Sequence, residues 1–270
     1  MTTPVFSQLK KEFIFSQHLQ RSVELSMLIT EPMEVKTSRP WSVILVFDGQ
    51  DFPALHASQA THSLASRLSK NCLLVGIHAN ENRIYEYGVA AQADYANRGD
   101  RASQTTQFVL NELIVYLKSK FPLSSNRADW SIGGFSLSGL MALDIAWNHP
   151  DYFSKAGVFS GSFWWRQKAL DHGYEDSDRI MHALIRSTKQ IPDSSFWFQV
   201  GTQDEEDDRD GDGVIDSIAD TLDLIAEIER KGYQWGKNVQ YLEVKNGVHA
   251  PSTWATVFPD FLHWTQEAIE

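Results

Sequence analysis

Residues 11–16 and 21–30 alternate between apolar and polar side chains, the period of two expected of half-buried strands. Residues 41–47 abandon that rhythm. Their unbroken run, Trp41-Ser42-Val43-Ile44-Leu45-Val46-Phe47, predicts a strand covered on both faces, as the central strands of a parallel sheet are. After the loop Asp48-Gly49-Gln50-Asp51 the chain reads as helical to about residue 69, then as a strand over 72–77. A polar loop over 78–101 follows, long enough to serve a function. Over 104–120 the residues Phe108, Leu110, Leu113, Ile114 and Leu117 form a helical stripe. Further strands are expected at 130–133, 156–159, 196–200 and 239–244, and further helices at 140–148, 217–231 and 254–269. Strands alternating with helices specify an α/β fold: one domain over 1–270, a doubly wound, mostly parallel sheet with antiparallel N-terminal strands.

With 42% hydrophobic residues in 270, the chain has enough apolar surface for one large core. Its apolar runs at 43–47 and 72–75 stop at strand length, well short of a membrane span. The first twenty residues carry Lys10, Lys11 and Glu12 and no apolar leader core, so a cytoplasmic product is expected. Cys72, the single cysteine, sits beside Leu73-Leu74-Val75 and reads as a buried small apolar residue. The net charge of −11 is concentrated: between Asp204 and Asp220 nine acids face Arg209 alone, a local −8 that leaves −3 for the rest. A generally acidic surface argues against a nucleic-acid partner, whereas a clustered set calls for a cation or for solvent; with no apolar stretch of membrane length, no membrane partner is expected.

Candidate chemistry begins at Ser131-Ile132-Gly133-Gly134-Phe135-Ser136-Leu137-Ser138-Gly139-Leu140. A serine hydroxyl is a poor nucleophile, so an enzyme exposes it on a sharp strand-to-helix turn where a histidine can take its proton. Taking Ser136 as nucleophile puts the small residues Gly134, Ser138 and Gly139 where strand and helix cross; taking Ser138 instead puts bulky Leu140 two residues on. Active sites in such sheets gather after the strand ends. Asp204 follows one strand and His249 another, so nucleophile, acid and base run in the order Ser, Asp, His, which is the α/β-hydrolase order. Glu205 is an alternative to Asp204 as the acid. An oxyanion hole would draw on the backbone N–H groups of Leu137 and Gln50, the latter with Gly49 or Asp51 as neighbours.

Taken together, several segments resemble the esterase family of α/β-hydrolases that includes enterochelin esterase and S-formylglutathione hydrolase (esterase D). They are Phe47-Asp48-Gly49-Gln50, Val75-Gly76-Ile77, Arg83 with Glu86-Tyr87, Gly134 to Leu140, His149-Pro150, Ser160-Gly161-Ser162-Phe163-Trp164-Trp165, Gly201-Thr202 before Asp204, and His249 with Trp254 and Pro259. The chain departs from the pattern at Ser138, where glycine is usual, and at Val248, where glycine often precedes the histidine. The resemblance implies the α/β-hydrolase fold and an ester-cleaving activity.

The acidic segment has a second reading. Asp208, Asp210, Asp212 and Asp216, with Gly213 at the sixth position and the Val214 carbonyl at the seventh, follow the spacing of a calcium loop. The bidentate glutamate expected at the twelfth position is absent, Ala219 standing there, so this is not a true EF-hand. Structural calcium is expected, with no cofactor for catalysis. Trp164, Trp165 and Trp254 are candidates for the floor of a substrate pocket, with membership of the core as the alternative. The leading expectation is a serine carboxylic-ester hydrolase that forms an acyl-enzyme from a small-molecule ester. Acyl transfer through the same triad, or a non-catalytic calcium-binding α/β scaffold, are the alternatives.

Overall fold

The computed structural model describes residues 9–32 and 38–268. Strands β1 (Lys10–Ser16) and β2 (Arg21–Thr30) pair antiparallel, and β2 lies antiparallel to β4 (Cys72–Ile77). From there the sheet is parallel, taking in β3 (Ser42–Phe47), β5 (Trp130–Phe135), β6 (Lys155–Phe159), β7 (Ser195–Gln203) and β8 (Val239–Val248), in the order β1-β2-β4-β3-β5-β6-β7-β8. The expected mixed sheet is therefore found.

The unbroken apolar run of β3 serves two cores at once. Val43, Leu45 and Phe47 point into one cluster and Ile44 and Val46 into the other, all wholly buried. The first cluster is closed by the helical segment that carries Phe108, Leu113 and Leu117, by α5 (Leu137–Asn148), and by α7 (Asp216–Glu229). The second is closed by α1 (Ala57–Leu64) and α8 (Pro251–Thr265). Inside the sheet Lys155 is buried, and its ammonium donates to the carbonyls of Trp264 (2.8 Å), Thr265 (3.2 Å) and Glu267 (2.5 Å), fixing the C-terminal end of α8.

Several boundaries differ from the sequence reading for definable reasons. The helix expected up to residue 69 is confined to α1, because Asp48 and His56 take left-handed backbone and fold the preceding segment into turns. The stripe at 104–120 is helical, but Phe108–Leu113 winds as a π-helix between α3 (Ala102–Gln107) and α4 (Ile114–Lys120). Within the long loop, α2 (Arg83–Glu86) forms one turn. A further helix, α6 (Ile180–Ser187), lies in a stretch where the sequence showed no pattern. β8 runs past residue 244: its ladder with β7 shifts between Gly201 and Gln203, where Asn246 adopts φ 59° and its N–H donates to Thr202 Oγ1 at 2.8 Å, and pairing resumes at Val248. That bulge carries His249 to the level of the end of β7. Residue 269, the expected end of the last helix, lies outside the described residues.

Candidate active site

Ser136 joins β5 to α5 with φ 57° and ψ −122°, a conformation that side-chain-bearing residues adopt only under strain of about 1–3 kcal/mol. The turn is tight enough that a Cβ on Gly134 would sit 2.3 Å from the Ser138 carbonyl oxygen, so glycine there is obligatory. Ser136 N–H donates to Phe159 O at 2.8 Å, holding the turn to β6. Ser136 Oγ lies 3.3 Å from Ser162 Oγ, and that contact, rather than one with His249, is its hydrogen bond in this structure. The Ser162 N–H also donates to Ser136 O at 3.2 Å, so the Ser160 to Ser162 turn after β6 braces the elbow.

Asp204 follows directly on β7, its N–H donating to Gly201 O at 3.2 Å, and its side chain is wholly buried. One carboxylate oxygen stands 3.9 Å from His249 Nδ1, whereas Glu205 turns toward a neighbouring cavity. Neither oxygen of Asp204 has a hydrogen-bond partner of good geometry. Burial pushes the Asp204 carboxyl above the ordinary carboxylate range, against the lowering influence of the Ser160 hydroxyl and of His249. Burial lowers His249, with Asp204 pulling it up and the Arg83 guanidinium pushing it down. A lowered imidazole pKa widens the pH range over which the ring is neutral, which is what a general base needs, and a carboxylate beside it can stabilise the protonated form. Catalytic hydrogen bonds are commonly long before substrate binds, so 3.9 Å is compatible with that role. Trp254 ties the parts together: its ring stacks on Phe135 (centroids 5.0 Å), meets His249 edge-on (5.4 Å), and its indole N–H donates to Ser160 Oγ at 2.9 Å.

The N–H of Leu137 is the first of the unpaired donors at the start of α5. Gln50 lies in the 3-10 turn Gly49–Asp51 after β3, packed so tightly on β4 that a Cβ on Gly49 would stand 2.4 Å from the Gly76 carbonyl carbon. The Gln50 side chain is held at both ends, its Nε2 donating to Asp48 Oδ1 at 3.1 Å and its Oε1 accepting from the Ala79 N–H at 3.0 Å. Asp48 is buried and accepts from Arg83 Nε (2.9 Å) and Nη2 (2.7 Å) and from Ser138 Oγ (2.6 Å). Sequence reasoning did not assign Asp48, Ser160, Ser162 or Arg83 a role in the site. Their one signal was membership of the motifs quoted above.

Of the three tryptophans, Trp164 is half-buried and lines a cavity of about 460 Å³ with Tyr95, Arg98, Arg166, Glu205 and Arg209. Trp254 packs against Phe135 and His249 and is buried. Trp165 is corrected to the core: it is wholly buried, and a Cβ on Gly99 would lie 2.9 Å from its ring. In the acidic loop, carboxylate oxygens of Asp208, Asp210 and Asp212 come within 4.8 Å of one another, all exposed. Asp208 accepts from the N–H groups of Gly211 (2.8 Å) and Gly213 (2.9 Å), and Asp212 from that of Val214 (2.8 Å). Asp216 does not join them and is corrected out of the ligand set: it accepts from the Arg209 N–H at 2.9 Å and pairs with the Arg209 guanidinium at 3.1 Å. Arg209 also pairs with buried Asp220, as does Arg179 at 2.6 Å.

A family model described as "Putative esterase" matches residues 16–265. Among solved structures, enterochelin esterase from Shigella flexneri is 16% identical with a TM-score of 0.71, over 96% of this chain and 58% of that one. The siderophore hydrolase EstB from Aspergillus nidulans is 15% identical with a TM-score of 0.68, over 100% of this chain and 99% of that one. A fluorophosphonate-binding serine hydrolase of Staphylococcus aureus, FphF, is 16% identical with a TM-score of 0.66, over 97% and 99%. An uncharacterised protein of Corynebacterium glutamicum is 22% identical over 177 residues, 60% of this chain; the match spans 38% of that protein's length. No helix among the described residues is long and apolar enough to cross a membrane.

Proposed function

The chain belongs to this esterase family, and from that premise we propose that it is a serine carboxylic-ester hydrolase working through Ser136, His249 and Asp204. The observation that carries the reading is the strained backbone of Ser136 at the junction of β5 and α5, with an acid and a base delivered from the ends of β7 and β8, the last two strands of the parallel run. In the first step His249 removes the Ser136 hydroxyl proton as Oγ attacks the ester carbonyl, and the carbonyl oxygen becomes an anion held by the Leu137 and Gln50 N–H groups. The imidazolium, stabilised by Asp204, returns its proton to the departing alkoxide, leaving an acyl group on Ser136. Water, deprotonated by His249, then attacks the acyl carbon, and collapse of the second intermediate frees the acid and restores Ser136.

Esters of aromatic acids head the substrate proposal. Tyr95 and Trp164 line the cavity beside Glu205, one residue from Asp204, and similar structures include a ferulic acid esterase and an enterobactin esterase. Calcium is part of the same reading as a structural ion on Asp208, Asp210 and Asp212, and no catalytic step passes through it. The test is hydrolysis of p-nitrophenyl acetate by wild type and by Ser136→Ala. A loss of several powers of ten, up to about 10⁶ in a serine hydrolase, is expected; unchanged turnover would refute the assignment.

A further inference from the structure

The ladder between β3 and β5 runs from Val43 opposite Trp130 to Val46 opposite Gly133 and stops, while that between β5 and β6 continues to Phe135 opposite Phe159. In a parallel strand successive residues present their N–H and C=O to alternate neighbours. Ser136 N–H donates toward β6, so Phe135 faces the β3 side. There β3 has already turned away, because Asp48 takes left-handed backbone with φ 59° and ψ 43°. A buried N–H and C=O are left at a gap in the sheet, where each must find a partner. Side chains supply them: Phe135 N–H donates to Ser138 Oγ at 2.7 Å, and Arg83 Nη2 donates to Phe135 O at 3.1 Å.

Ser138 Oγ is 2.6 Å from Asp48 Oδ2 and 2.9 Å from Phe135 O. A hydroxyl has one proton to give, and the shorter, charge-assisted contact is with the carboxylate. Bonds therefore run unbroken from the Phe135 N–H, through Ser138 and Asp48, to the Gln50 side chain in the oxyanion turn. The serine that departs from the family pattern is the link.

We propose that Ser138 is a positioning residue for the oxyanion hole: by accepting from Phe135 and donating to Asp48, it fixes the Leu137 N–H relative to the Gln50 N–H so that both meet one oxygen. The proposal rests on the Ser136 reading above. Glycine at 138 would leave the Phe135 N–H without an acceptor and take from Asp48 the one donor that comes from the elbow, its bonds to Arg83 and Gln50 remaining, so the two halves of the hole would lose their common anchor. Donors aimed at a developing charge act on the tetrahedral state far more than on the planar ester. The loss consequently falls on kcat and not on KM.

The experiment compares Ser138→Gly and Ser138→Ala with wild type in three measurements: p-nitrophenyl butyrate kinetics, inhibition by phenylboronic acid, whose serine adduct is tetrahedral, and thermal melting. The expected result is a fall in kcat on the order of 10- to 100-fold, KM within about threefold, and a boronate inhibition constant raised by a similar factor to the loss in kcat. Asp48→Asn, which removes the carboxylate but leaves Ser138 to accept from Phe135, is expected to show the same split and decides the matter if the Ser138 variants do not fold. Wild-type kcat and boronate affinity in the folded variants, whatever their melting temperature, would overturn the proposal. Ser136→Ala in the same assays separates the two claims: if it remains active the nucleophile assignment fails, whereas if it is inactive and the Ser138 variants match wild type, only the positioning role fails.

Discussion

Asp204→Asn tests the proposed acid of the triad with little change of shape. In wild type, the buried carboxylate faces His249 Nδ1 at 3.9 Å and has no competing hydrogen bond of good geometry, so its charge is directed at the imidazole. Two unit charges at that separation attract by about 4 kcal/mol at an effective dielectric of ~20, and solvent around the imidazole, 39% exposed, reduces this toward ~3 kcal/mol. At about 1.4 kcal/mol per power of ten, loss of that attraction in the transition state slows acylation by on the order of 10²–10³. An amide that stabilises the wrong imidazole tautomer adds to this, and a comparable change in a serine protease costs about 10⁴. The assay is the pH dependence of kcat/KM for p-nitrophenyl butyrate. His249 works only when neutral, and its pKa lies below its ordinary value of about 6.5, so the acid limb of wild type falls below that pH. Removing Asp204 removes the influence that raises His249, while burial and Arg83 continue to lower it, so the limb moves to still lower pH as the plateau drops. A plateau reduced less than about tenfold, or a limb displaced upward, would contradict Asp204 as the acid.

Other consequences are equally open to measurement. Gly134→Ala places a methyl 2.3 Å from Ser138 O and 2.8 Å from Ser138 Oγ, so it is expected to cost at least about 1–3 kcal/mol in denaturant unfolding and to lower turnover; wild-type values in both would show the elbow less tight than described. Asp144, buried in α5 and accepting from the Ala90 N–H at 3.0 Å, has its carboxyl raised by burial to about 7. Its raised folded pKa means that its contribution to stability is greatest below about pH 4 and is lost as pH rises toward 7. Asp144→Asn should therefore gain on wild type between about pH 4 and pH 7 in unfolding experiments, and an unchanged difference would refute the assignment. Calorimetric titration of calcium into chelator-treated protein should show one site, lost in Asp208→Asn, and no heat at millimolar calcium would remove the ion from the account.

Much of this architecture is legible in the chain because central parallel strands are unbroken apolar runs: Cys72–Ile77 coincides with its predicted span. The level of His249 was harder to read. A strand that pauses at a left-handed Asn246 and resumes at Val248 looks in sequence like a strand that has ended. For Trp165 the sequence leaves pocket floor and core equally open; what buries it is the close approach of Gly88 and Gly99, far away along the chain. The acidic loop misled differently. Spacing alone put Asp216 with Asp208, whereas Arg209, read as a lone opposing charge, draws Asp216 and Asp220 to itself. In sequence Ser138 is a small residue at the crossing and a departure from the family pattern; its hydrogen bonds depend on where β3 leaves the sheet.

The most direct test of the whole account is peptide mapping after treatment with a fluorophosphonate. One adduct per chain is expected, on Ser136, formed in step with loss of esterase activity and absent from Ser136→Ala. Modification of the Ser136→Ala protein, or hydrolysis that persists in wild type with Ser136 fully labelled, would contradict it.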